Sequence, residues 1–241
     1  MKRKFFVLFL CIVLAGSVFL GLLRGVSGFN NEIANPEQKD FSGAIYVALG
    51  DSLTYGEDGF TKGRMENSYP ELVKRELGLK FVQNCGVSGL RVDQMYQRIN
   101  KMNSKADIVS FMGGTNDCYQ SVPLGTIDDN EMSTFYGRLN LLTKALLKKY
   151  PDAFLFYMTP FKSARSTLNG NENGDTLEDF AEAIKNVCAL YNIPCLDLYN
   201  LGQFELEMYD ANSDGIHPSQ QFYEEYTAPM IAKFIQDHYC A

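Results

Sequence analysis

The sequence predicts an α/β domain built on a mainly parallel five-stranded sheet with helices on both faces. Three observations carry that expectation. From residue 44 onward, short apolar runs alternate with longer amphipathic stretches. The longer stretches place apolar side chains three and four residues apart, the spacing of a single helical face. Glycine or proline falls at several of the junctions, and strands that alternate with helices pair in parallel through crossover connections. With 241 residues, 46% hydrophobic and 21% charged, the chain is long enough to bury one such core.

The elements follow in order. Ala44–Leu49 is a short apolar strand, and Tyr69–Leu77 a helix stopped by Gly78. Lys80–Asn84 is a second strand and Arg91–Met102 a second helix. Asp107–Met112 is a third strand. Glu131–Lys149 is a helix whose Phe135, Leu139, Leu142 and Leu146 form one stripe. Ala153–Met158 is a fourth strand, and Thr176–Tyr191 a helix with Leu177, Phe180, Ile184, Val187 and Tyr191 on one face. Pro194–Leu198 is the fifth strand. A closing helix covers Gln220–His238 and is expected to bend at Pro229, which removes an internal hydrogen bond. The aromatic residues Tyr46, Phe81, Phe111, Phe154 and Phe156 fall in strands and read as core. Two long loops, Asp117–Asn130 and Pro160–Asp175, follow the third and fourth strands. Loops of that length at that edge serve as lids or as mobile surface around a ligand crevice.

Before this domain, three positive side chains in Met1–Lys4 precede Phe5–Leu23, a run of 19 residues without a charge. Residues 1–28 read as a signal peptide or a membrane anchor, and 29–43 as a tether. Val26-Ser27-Gly28 offers small residues for cleavage, whereas 19 apolar residues suit a retained anchor. A lipoprotein signal is disfavoured because Leu10 precedes Cys11 where a small residue is needed. Either way the positive flank stays inside and the body lies outside the cytoplasm, secreted or held at the outer face of the membrane.

The net charge is −7, and residues 1–28 hold four of the 22 basic side chains and no acid, so the body is more acidic still. Such a body has no general attraction for phosphate backbones, and nucleic acid is excluded as a partner. Membrane contact is expected only through the N-terminal segment. The body has five cysteines, Cys85, Cys118, Cys188, Cys195 and Cys240, an odd number without a CxxC spacing. Two distant histidines and scattered carboxylates make no metal-ligand cluster, so neither metal nor cofactor is expected.

Chemistry concentrates at the predicted strand ends. Gly50-Asp51-Ser52-Leu53 follows the first strand, where glycines permit a tight turn and the Ser52 hydroxyl can face the crevice. A serine in a glycine-rich turn is more often a helix cap than a nucleophile, so this block alone decides nothing. Of the two histidines, His238 lies in the last turn of the closing helix, where a cation suits the dipole. His217 lies on a Gly/Pro-bearing loop, with Asp214 three residues earlier able to fix its tautomer and stabilise the imidazolium. Acyl transfer also needs donors for the oxyanion. Asn84–Gly89 follows the second strand and offers the Gly89 N–H; Gly113–Asp117 follows the third and offers the Asn116 amide.

These four blocks, in this order across residues 44–218, resemble the SGNH hydrolases, also called the GDSL esterase/lipase family. The resemblance implies a flavodoxin-like three-layer α/β/α sandwich with strand order 2-1-3-4-5. It implies Ser52 as nucleophile, His217 as general base and Asp214 as its orienter. The Ser52 N–H, the Gly89 N–H and the Asn116 side chain would form the oxyanion hole, and Asp51 would be structural. Tyr55 and Tyr119, each near a block, are expected to line the substrate site. The family contains lipases, lysophospholipases, thioesterases and carbohydrate deacetylases, and the blocks do not separate them. Export and polar long loops favour short acyl esters, acetyl above all, of a carbohydrate or cell-wall glycan. An O-acyltransferase and a non-catalytic glycan-binding module are the alternatives outside hydrolysis.

Overall fold

The computed structural model describes residues 39–164, 170–200 and 214–239. The expected signal peptide or anchor, residues 1–28, and residues 29–38 of the tether lie outside the described residues, as do Cys240, residues 165–169 of the second long loop and residues 201–213. No helix among the described residues is long and apolar enough to cross a membrane.

Five strands, β1 (Ile45–Gly50), β2 (Phe81–Gly86), β3 (Ile108–Met112), β4 (Phe154–Met158) and β5 (Cys195–Leu196), form one sheet in the order β2-β1-β3-β4-β5. Every pairing is parallel. The alternation of side chains along each strand builds two cores. Val47, Leu49, Val109, Phe111, Leu155 and Tyr157 face one side, and Tyr46, Ala48, Ile108, Met112, Phe156 and Met158 the other. Burial of both faces explains why β1, β3 and β4 read as unbroken apolar runs, whereas β2 lies at the sheet edge and leaves Phe81, expected in the core, 45% exposed.

The first side is covered by α3 (Val92–Arg98), α5 (Phe135–Lys149) and α6 (Leu177–Tyr191), and the second by α2 (Tyr69–Leu77) and α8 (Ala228–His238). Short helices α1 (Ser52–Tyr55), α4 (Thr115–Tyr119) and α7 (Gln220–Phe222) complete the set. The result is the expected three-layer sandwich. The 29–43 tether overlaps it at its described end: Phe41 is buried against Tyr239 and Lys39 donates to carbonyls of the last helix, so the packed body begins before residue 44.

Several boundaries differ from the expected ones, each for a local reason. Helix α5 starts at Phe135, not Glu131, because the Thr134 side chain caps Gly137 N–H at 3.2 Å while Phe135 and Tyr136 donate back to Pro123 and Leu124. Helix α3 ends at Arg98 and continues to Lys101 as a 3₁₀ turn. Strand β5 is only two residues long because Asp197 accepts from the Tyr199 and Asn200 amides and from Thr159, turning the chain away from the sheet. The irregularity expected at Pro229 is a π turn over Tyr223–Thr227. Ala228 N–H reaches back five residues to Tyr223, and α8 proceeds through Pro229 in its first turn.

The loop expected over Asp117–Asn130 begins as helix α4 and is then pinned, with the Asn140 amide donating to Ile127 and Asp129 carbonyls at 2.8 Å each. Asn173 donates to the Ser121 carbonyl at 2.7 Å, so the two long loops are tied together at this point.

Candidate active site

Strand register fixes the site's floor. Gly50 pairs with Gly86 on one side and Met112 on the other, so β1, β2 and β3 end at the same edge. The chain turns sharply there into α1, which lies directly on the strand tips. A Cβ on Gly50 would fall 2.0 Å from Thr54 Oγ1, and one on Gly86 would fall 2.2 Å from the Tyr55 nitrogen. Only glycine allows that approach.

Helix α1 is capped by Asp51, whose carboxylate accepts from Leu53 N–H at 3.0 Å. Asp51 is fully buried, and burial pushes its carboxyl up to about 7 against the pull of the Leu53 hydrogen bond. A buried hydroxyl network supports the turn from beneath: Tyr69 contacts Thr54 at 3.0 Å, and Tyr223 donates to the Leu53 carbonyl at 3.0 Å. Ser52 is the first residue of the helix, so its own N–H has no intrahelical acceptor.

His217 comes to Ser52 from the loop before α7. Its Nε2 lies 2.8 Å from Ser52 Oγ, and its Nδ1 2.8 Å from Asp214 Oδ2. The Asp214 Oδ1 accepts from the Ile216 and His217 amides at 3.0 and 3.1 Å, which locks the loop that carries both residues. The Gly215 carbonyl accepts from Ser163 Oγ and Ala164 N–H at 2.9 Å each, tying this loop to the one after β4. Burial raises Asp214, but the Lys62 ammonium, the two amides and the imidazole outweigh it and hold the carboxyl well below the usual carboxylate range. His217 is buried and lines the cavity beside it.

The expected oxyanion donors come to the same edge. Among the described residues no backbone hydrogen bond ties down the Gly89 N–H. The Asn116 amide, on α4, donates to the Leu90 carbonyl at 3.1 Å and more weakly to Asp51 Oδ2 at 3.4 Å. Helix α4 is itself held by Asp117, which is fully buried and accepts from Arg138 at 2.8 Å and Val92 N–H at 3.0 Å. Burial pushes Asp117 up to about 6 while Arg138 pulls it down.

Beside His217 lies a cavity of about 180 Å³ lined by Asp58, Gly59, Phe60, Arg64, Met65, Pro218, Ser219 and Gln220. Neither tyrosine expected to line the site borders this cavity. Tyr55 packs under the Arg64 guanidinium at 5.3 Å, and Tyr119, 49% exposed, ends α4. His238 hydrogen-bonds the Phe234 carbonyl at 2.8 Å and stacks on its ring, away from the crevice. No cluster of three or more His, Cys, Asp or Glu side chains suited to a metal occurs among the described residues. Cys85, Cys118, Cys188 and Cys195 are free thiols.

Two residues of the site gave no sequence signal. Glu57 Oε1 lies 3.8 Å from His217 Nε2, and Lys62 bonds Asp214 while its ammonium sits 3.9 Å from Glu57. Both belong to a loop between α1 and α2 whose residues form no known block.

Comparison with known proteins agrees with this fold. The model of the GDSL-like lipase/acylhydrolase family matches residues 48–225. No curated protein matches the chain. Among solved structures, a possible lipase from Chitinophaga pinensis is 24% identical with a TM-score of 0.68, covering 80% of this chain and 98% of its own. A lipase/acylhydrolase from Enterococcus faecalis is 22% identical, TM-score 0.62, covering 80% and 96%. A protein from Lactobacillus plantarum is 24% identical, TM-score 0.70, covering 82% and 99%. These three likenesses establish the fold; the family match, over well more than half of the chain, establishes the lineage. The chain belongs to the GDSL-like lipase/acylhydrolase family and is a hydrolase of that family.

Proposed function

We propose that the protein is an exported serine ester hydrolase, independent of metal, that works through an acyl-enzyme on short acyl esters, acetyl above all, of a carbohydrate or cell-wall glycan. The observation that carries the reading is the unbroken chain from Ser52 Oγ through His217 to Asp214, with both contacts at 2.8 Å. His217 Nε2 takes the serine proton as Oγ attacks the acyl carbon, and Asp214 stabilises the imidazolium and keeps Nδ1 as the donor. Charge develops on the carbonyl oxygen, which meets the Ser52 and Gly89 N–H groups. Asn116 joins them by exchanging its long 3.4 Å contact to Asp51 for the oxyanion. His217 then returns the proton to the leaving alcohol. Water then adds to the acyl carbon while His217 takes its proton, and the acid leaves as His217 passes that proton to Ser52 Oγ.

The short-acyl preference is supported by the small volume of the cavity beside His217, whose lining mixes polar Asp58, Arg64, Ser219 and Gln220 with apolar Phe60, Met65 and Pro218. Export rests on the positive flank and apolar run of residues 1–23. The experiment is a p-nitrophenyl ester ladder, acetate to palmitate, run on the purified chain beside Ser52→Ala and with a chelator. Serine-dependent turnover that falls with chain length and ignores the chelator supports the reading. Faster cleavage of long chains overturns the short-acyl preference, and full activity in Ser52→Ala overturns the assignment.

A further inference from the structure

The loop between α1 and α2 is built like a small clamp. Glu57 and Arg64 form an antiparallel bridge, Met65 N–H donates to the Gly56 carbonyl at 2.8 Å, and Asp58 N–H donates to the Gly63 carbonyl at 2.8 Å. The Asp58 carboxylate accepts from Phe60 N–H at 2.9 Å, Thr61 N–H at 3.2 Å and Thr61 Oγ1 at 2.6 Å. At its tip Lys62 adopts φ +61°, a left-handed conformation that side-chain-bearing residues avoid. Strain of this kind persists where the surrounding bonds over-determine it, and it gathers at functional sites. Here it turns the Lys62 ammonium back onto Asp214 Oδ2, the same oxygen that accepts from His217 Nδ1.

As a stabilising ion pair this contact is worth little, since the Lys62 side chain is 57% exposed. Its effect on the imidazole is another matter. A cation sharing Oδ2 weakens the hold of Asp214 on a protonated His217. Glu57 acts with the opposite sign. Its backbone N–H is fixed to the Ser52 carbonyl at 2.9 Å, and its side chain, only 12% exposed, places a carboxylate 3.8 Å from His217 Nε2. Among the described residues, the other charges around the ring are Asp214 itself on the Nδ1 side, Asp51 buried below Ser52, and Asp58 and Arg64 across the cavity. Arg64 is occupied by Glu71 and the Tyr55 carbonyl, and Asp58 by its own loop. Among the described residues, Lys62 and Glu57 are therefore the opposed charges that reach the triad directly.

We infer that Lys62 and Glu57 are a pair of positioning residues: Lys62 orients Asp214, and the two opposite charges together set the pH above which His217 serves as base. Neither touches the reacting atoms. The inference rests on the reading of Ser52, His217 and Asp214 as a triad. At 3.8 Å a full charge in a watery setting moves an ionisation by somewhat under one pH unit, and partial burial of Glu57 keeps its effect near that figure.

The test is the pH dependence of kcat/KM on p-nitrophenyl acetate for the full chain, with Lys62→Met, Lys62→Arg, Glu57→Gln, the Lys62→Met/Glu57→Gln double variant and Ser52→Ala. Lys62→Met is expected to move the acidic limb up by about half to one pH unit, and Glu57→Gln to move it down by a similar amount. The double variant should fall back close to the parent, and Lys62→Arg should restore the parent limb. A merely structural role would lower activity at every pH without moving the limb. If Lys62→Met does not fold, the downward shift in Glu57→Gln and its absence in Glu57→Asp decide the sign on their own. Limbs that stay put, or that move in the same direction, in variants that melt like the parent overturn the inference while leaving the triad intact. An active Ser52→Ala instead overturns the triad.

Discussion

Removing the Asn116 side chain separates catalysis from scaffolding more cleanly than removing a member of the Ser52–His217–Asp214 chain. In Asn116→Ala two contacts disappear, the 3.1 Å bond to the Leu90 carbonyl and the 3.4 Å contact to Asp51. The first holds the loop that carries Gly89 and is worth about 1 kcal/mol of stability, as a neutral hydrogen bond near the surface. For a domain of this size that is a fall of about 2–4 °C in Tm. The second is long and is given up at small cost when an oxyanion arrives. What the reaction loses is larger: one of three donors aimed at developing charge, about 2.7–4 kcal/mol, or roughly 10²–10³ in kcat. Because the amide meets the oxyanion only in the transition state, KM should stay nearly constant. The assay is steady-state hydrolysis of p-nitrophenyl acetate together with a thermal melt of the same sample. Asn116→Asp serves as an isosteric partner that cannot donate and should be at least as slow. A kcat within threefold of the parent in a variant that melts a few degrees lower would refute the oxyanion role and leave Asn116 as a loop anchor.

Other outcomes follow from the same geometry. Ser52→Ala and His217→Ala should each remove nearly all turnover of an acetate ester while circular dichroism and Tm stay near the parent, because the two act as one unit. Any acidic fall in the parent's activity should not come from Asp214, whose carboxyl is held well below the usual carboxylate range. Asp51 makes a stability prediction of the opposite kind. Its folded value, about 7, lies above that of an unfolded carboxylate, so its contribution is fully present below about pH 4 and is lost as pH rises toward 7. Asp51→Asn should flatten that part of a Tm-against-pH curve and raise Tm at pH 8; an unchanged slope would mean that Asp51 is ionised in the fold. Dialysis against a chelator should leave hydrolysis unchanged, and a loss restored by added metal would bring a metal into the mechanism.

The sheet and its order were legible because β1, β3 and β4 are buried on both faces and so leave continuous apolar runs bounded by turn residues. The helices were legible from their stripes, since Phe135, Leu139, Leu142 and Leu146 all enter one core. What escaped was settled by single side chains acting on the backbone. Thr134 delays α5 by four residues, Asp197 ends β5 after two, and Tyr223–Thr227 widens into a π turn ahead of Pro229. None of these has a periodicity. The candidate site divides the same way. Ser52, Gly89, Asn116, Asp214 and His217 sit in turns whose composition marks them. Tyr55 and Tyr119 were expected at the site on sequence proximity alone; neither borders the cavity beside His217, though Tyr55 packs against Arg64, which does.

Glu57 and Lys62 show why proximity in the chain and proximity in the site differ. The distance between Lys62 and Asp214 is 152 residues along the sequence, and it closes because two separate turns face each other across one strand end. The α1 turn holds Glu57 through Ser52, and the loop of residues 214–217 holds Asp214 through its own amides. A lysine in a left-handed tip residue carries no signature that distinguishes it from any exposed lysine. Yet the clamp that forces it there is made of ordinary pieces: an aspartate turn, a glycine and one bridge. Shortening that clamp would not disturb the sheet edge that aligns Ser52, Gly89 and Asn116, because those positions are fixed by the register of β1, β2 and β3. Deleting residues 59–62 should therefore leave the fold and the Ser52–His217 contact in place while moving the acidic limb of the pH profile. The direction of that movement reports which charge the clamp delivers more strongly: upward if removal of Lys62 dominates, downward if Glu57 leaves with it.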